Sequence, residues 1–177
     1  MNELSVSALS AFLVLFAIAI RAQQQPPAPK RGPEPAKLAC FARKWVSEAE
    51  VEPSAFGPGG KFTFTESCEW LRQIAVLCQC EGNMMGGEYR GLSVMSYDTA
   101  EKSYIYYETS NRGETVYSRG SVDGGTWTNQ SEMNGKTVRG RFFLKRVSEE
   151  SATFRSDMGM GSGPLAKVLQ GKQTRQK

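Results

Sequence analysis

The chain has 177 residues, with 22 Lys and Arg against 18 Asp and Glu for a formal net charge of +4, and it has no histidine. The missing histidine excludes Ser-His-Asp and Cys-His nucleophile systems, histidine-ligated haem or zinc, and an imidazole general base. The mild, scattered positive charge argues against nucleic acid as a partner.

Ala8 to Ile20 forms an apolar run. It is shorter than the ~20 residues of a membrane-spanning helix and fits the ~7–15 of a signal-peptide core. Residues 1–22 therefore read as a signal peptide cleaved after Ala22, with an uncleaved N-terminal anchor as the alternative. The implied localisation is secreted or periplasmic, with no integral membrane span after signal removal. Residues 23–35 carry five of the eight prolines and no large apolar side chain, which predicts a disordered Pro/Gln-rich spacer. The remaining residues, 36–177, are long enough for one domain that folds without a metal or a disulfide.

Leu38, Phe41, Ala42 and Trp45 recur at helical spacing, which predicts one short helix or 3₁₀ segment with proline at its start. After Trp45 the period becomes two. Strands are expected at 45–51, 61–70, 74–80, 89–97, 103–109, 114–122, 125–133, 137–147, 151–158 and 165–172. Turn chemistry separates them: Gly57-Pro58-Gly59-Gly60, Gly86-Gly87, Asp98-Thr99, Asn111-Arg112-Gly113, Asp123-Gly124-Gly125 and Asn134-Gly135. The run from Met158 to Gly163 reads as a loop between the last strands. About ten strands with short turns describe an antiparallel up-and-down sheet, and a sheet of that size closes into a barrel to remove its edges.

Four cysteines allow three pairings. Antiparallel partners keep a constant sum of residue numbers, so placing Cys68 opposite Cys78 also places Trp70 opposite Val76 and Cys80 opposite Glu66. Opposed residues have Cα atoms ~4.5–5.5 Å apart, within disulfide reach. A Cys68–Cys78 bond follows, with Cys40–Cys80 as a dependent second bond. One disulfide with free thiols, or a zinc or catalytic thiol site, stays open, although no C-x-x-C spacing favours metal.

Phe41-Ala42-Arg43-Lys44-Trp45 resembles the start of lipocalin-like (calycin) barrels. Together with Cys68-Glu69-Trp70, Cys78, Glu81-Gly82, Gly91-Leu92-Ser93 through Tyr97-Asp98, Lys102 to Tyr107, Gly120, Trp127, Ser131-Glu132 and Gly171-Lys172, it resembles the exported bacterial proteins of domain-of-unknown-function family 1579. The resemblance spans roughly residues 36–177. It implies a calycin-like barrel and no particular activity. It further implies that Trp45 plugs the closed end with Lys172 or Arg175 near its ring.

Glu66 and Glu108 stand out because each falls on an otherwise apolar or aromatic face, where an isolated carboxylate is costly. If both point into a lumen, they could recognise a cationic ligand among Tyr104, Tyr106 and Trp127, or act as acid and base. They could equally sit near strand ends or at a bulge that turns them outward. The candidate ligand-binding set is thus Glu66, Tyr104, Tyr106, Glu108 and Trp127, with no catalytic residue, metal ligand or cofactor assigned. A barrel binding a small amphipathic or apolar molecule leads the readings. A barrel filled by its own side chains, in a structural or envelope role, and a histidine-free enzyme are the alternatives.

Overall fold

The computed structural model describes residues 30–177, so the signal-peptide reading and all but the end of the predicted spacer lie outside the described residues. The last spacer residues are helical: a four-residue helix α1 (Pro33–Ala36) runs directly into a 3₁₀ turn, Lys37–Cys40. Proline tolerates the first helical turn, where its missing N–H would have no partner, so the helix starts two residues earlier than the apolar spacing implies.

Ten strands follow: β1 (Lys44–Val51), β2 (Gly60–Leu71), β3 (Ala75–Met84), β4 (Gly87–Asp98), β5 (Ser103–Ser110), β6 (Thr115–Ser121), β7 (Thr126–Met133), β8 (Lys136–Arg146), β9 (Ser151–Met160) and β10 (Ala166–Arg175). Each pairs antiparallel with its sequence neighbours, and β1 pairs with β10, which closes the barrel. Period-two patterning dictates this result, because alternate residues need one buried face and closure leaves no edge unpaired. The run from Met158 to Met160 belongs to β9 rather than to a loop, since it pairs with Val138–Gly140 of β8.

The β7–β8 turn shows how local chemistry sets register. Asn134 and Gly135 both take positive φ, 52° and 71°, the combination a two-residue hairpin turn requires and Asn-Gly tolerates best. Gly82 in β3 meets a different need. A Cβ there would lie 2.2 Å from the Thr63 carbonyl oxygen, so only glycine lets β2 and β3 approach this closely.

The N-terminal segment closes one end of the barrel. Leu38, fully buried, packs in a cluster with Val76, Cys78, Met95, Tyr104 and Trp127. Polar ties hold it there. The Tyr104 hydroxyl donates to the Glu34 carbonyl at 3.0 Å and to its carboxylate at 2.6 Å, and Lys37 Nζ lies 2.7 Å from Asp123 on the β6–β7 turn. Arg31 stacks on Trp70, 3.7 Å from the ring centroid.

Trp45 is buried and directly opposite Arg175. Among the described residues, however, no cation stacks on its ring, and Lys172 instead pairs with Glu48 at 2.8 Å. Arg175 is thus beside Trp45 in the register without stacking on its ring, and the guanidinium–indole stack is Arg31 on Trp70.

Candidate functional site in the barrel lumen

Opposed residues of antiparallel strands share a face, so the registers define the lumen wall. Trp45 is opposite Glu66, Glu66 opposite Cys80, and Cys78 opposite both Cys68 and Ser93, which in turn is opposite Glu108. Glu66 and Glu108 therefore both face the axis, and neither sits at a strand end or on a bulge.

Their partners differ. The hydroxyls of Tyr89 and Tyr106 each donate to one oxygen of the Glu108 carboxylate. Glu66 Oε2 accepts from Gln173 Nε2 at 2.8 Å, a bond that crosses β1, since Gln173 is opposite Ser47 on β10. Burial above all, and then the nearby Glu108 charge, push the Glu66 carboxyl up to about 7, while the Gln173 bond pulls the other way. Burial is also the main reason that the Tyr106 and Tyr89 phenols are raised, with Glu108 the next cause. The Cys80 thiol is raised by burial and then by Glu66.

The predicted ligand-binding residues thus divide into two groups. Glu66, Glu108 and Tyr106 converge in the lumen. Tyr104 and Trp127 belong to the packed end beneath Leu38, with their rings 6.4 Å apart and edge-on, although Trp127 also touches the site through Tyr106 at 6.5 Å. Tyr89, Gln173, Ser47 and Ser93 also face the lumen, and being uncharged they do not stand out in the sequence as Glu66 and Glu108 do. Tyr89 was findable from the alternation Tyr89, Gly91, Ser93, Met95, Tyr97. Gln173 lay beyond the predicted end of the last strand.

Cys68 and Cys78 are disulfide-bonded, whereas Cys40 and Cys80 are free thiols. The expected Cys40–Cys80 bond is absent, and the two thiols have different surroundings. Cys40 donates within its own 3₁₀ turn to the Lys37 carbonyl, near Arg43 and Arg146, while Cys80 lies among the lumen carboxylates.

Phe64, Glu66, Tyr106, Glu108 and Phe142 face the axis and are only partly buried, so the inner wall is not sealed from solvent at these positions. A concavity of about 1340 Å³ is lined by residues of β1, β2, β8, β9, β10 and the β6–β7 turn, and none of the five predicted residues lines it. Among the described residues there is no cluster of three potential metal-ligating side chains and no helix long and apolar enough to cross a membrane.

The barrel is similar to the crystal structure of Rv2717c from M. tuberculosis, at 10% identity and a TM-score of 0.57, covering 84% of this chain and 100% of that one. Weaker likenesses are a de novo designed fluorescence-activating β-barrel (14% identity, TM-score 0.45, 77% and 94% covered) and the S-type phycobiliprotein lyase CPES from Guillardia theta (10% identity, TM-score 0.49, 82% and 98% covered). No curated protein matches the chain. The model of a family described as proteins of unknown function matches residues 30–175, nearly the whole described barrel, and the chain accordingly belongs to the DUF1579 family.

Proposed function

We propose that this is an exported barrel whose lumen binds a small amphipathic molecule. The observation that carries the reading is the half-buried inner wall at Phe64, Glu66, Tyr106, Glu108 and Phe142. A wall residue that points at the axis and is still reached by solvent leaves room for a guest, and an aromatic lining with a few convergent polar groups is the usual make-up of a small-molecule site. The Cys68–Cys78 bond supports export, because disulfides persist in oxidising compartments.

The test is a titration with N-phenyl-1-naphthylamine, whose fluorescence rises in apolar surroundings. Saturable enhancement is expected, and it should fall in Val116→Trp, which adds an indole to the lumen opposite Glu108. No enhancement, or enhancement unchanged in that variant, overturns lumen binding.

A further inference from the structure

Among the described residues, the lumen wall around Glu66 and Glu108 carries no cation to balance them. The groups that set the Glu66 pKa are Glu108 and Gln173, with no Lys or Arg among them. The inward groups around the two carboxylates are Trp45 on β1 and Cys80 on β3, opposite Glu66, Gln173 on β10, bonded to Glu66, and Tyr89 on β4 and Tyr106 on β5, bonded to Glu108. The basic residues at inward register positions, Lys136, Arg146 and Arg175, lie at strand ends and are exposed. A buried carboxylate pair without a counter-ion is costly unless one member holds a proton or something supplies the positive charge.

A second observation points to a guest in the same place. Ser47 is 1% exposed and faces the lumen beside Gln173, and its hydroxyl has no hydrogen-bond partner. Trp45, directly opposite Glu66 and 7% exposed, likewise has an unpartnered Nε1. Buried polar groups are normally paired, so these two orphans leave hydrogen-bonding capacity unmet on the wall next to Glu66.

We propose that the lumen ligand is an amphipathic amine whose ammonium is held by Glu66 and Glu108, with its apolar part against Phe64 and Phe142. An ammonium has three donors and no acceptor, which matches the Glu66 carboxylate as acceptor. Glu108, already served by two phenols, adds charge rather than a free oxygen. The inference rests on lumen binding as proposed above and goes beyond it in naming the charge that is recognised.

Competition by n-octylamine, n-octanol and n-octanoate against bound N-phenyl-1-naphthylamine tests it. At about pH 8, where an alkylamine is still charged and Glu66 is ionised, octylamine should compete at a concentration about tenfold lower than octanol, with octanoate weakest. The advantage should shrink at about pH 5.5, as Glu66 takes up a proton and the Cys80, Tyr89 and Tyr106 groups stay neutral. Glu66→Gln keeps the side-chain shape and should remove the amine preference while leaving octanol unchanged. Equal competition by all three compounds, or an amine preference that survives Glu66→Gln, overturns the amine assignment and leaves lumen binding standing. If the fluorophore does not enter the barrel at all, both readings fall.

Discussion

Glu66 lies directly opposite Cys80, two residues from the Cys68–Cys78 disulfide on the same face of the same strand pair. The covalent staple and the acidic site are therefore fixed by one register. A slip of one residue would separate the cysteines and turn Glu66 out to solvent together.

The disulfide joins residues ten apart in sequence. A loop of that size is expected to contribute about 2–3 kcal/mol by restricting the unfolded chain. Cys68→Ser with Cys78→Ser should lower stability by that amount in urea unfolding. Peptide mapping without reductant should recover the 68–78 link, with Cys40 and Cys80 modified only by thiol reagents; a recovered 40–80 link would contradict the free thiols.

Stability should fall as pH rises through the Glu66 titration. Its carboxyl is raised from 4.5 to about 7, so the folded state holds the proton more tightly than the unfolded chain does. The stabilisation is complete below 4.5 and is lost by about 7. A shift of that size corresponds to about 3 kcal/mol at most, less where water reaches the site. Glu66→Gln should flatten this part of the profile and be more stable than the parent at about pH 8. Parallel profiles for the two proteins would show that Glu66 is not the group responsible.

Each phenol that serves Glu108 should matter separately. Tyr106→Phe or Tyr89→Phe removes the donor to one carboxylate oxygen, which is expected to cost about 1–3 kcal/mol. Tyr107→Phe, at an outward position 45% exposed, is the control and should change stability by under about 0.5 kcal/mol. Equal effects at Tyr106 and Tyr107 would refute the assigned hydrogen bonds.

The plugged end should depend on Leu38. It is fully buried against Tyr104 and Trp127, so Leu38→Ala is expected to destabilise the protein by about 2–5 kcal/mol. Trp127 should report the change through a red-shifted emission. An unchanged spectrum with unchanged stability would mean that the N-terminal segment does not close the barrel.

Strand number, the closed antiparallel sheet and the 68–78 register were all legible in the sequence, because each follows from local rules: alternation sets the faces, Asn134-Gly135 and its counterparts set the turns, and a constant residue sum sets the pairing. Glu66 and Glu108 were legible as misfits on apolar faces. What the sequence did not show is which misfits meet. Gln173 reaches Glu66 only because β10 closes on β1, and Tyr89 meets Glu108 only because Ser93 and Glu108 are opposed in the β4–β5 register. Tyr104 and Tyr106 share a face by parity, yet one packs under the helix while the other enters the acidic site. Depth along the barrel axis separates them, and depth is set by the N-terminal plug, which period two cannot encode. The sequence by itself determined the wall of this barrel. Closure and the plug decided where its charge is concentrated.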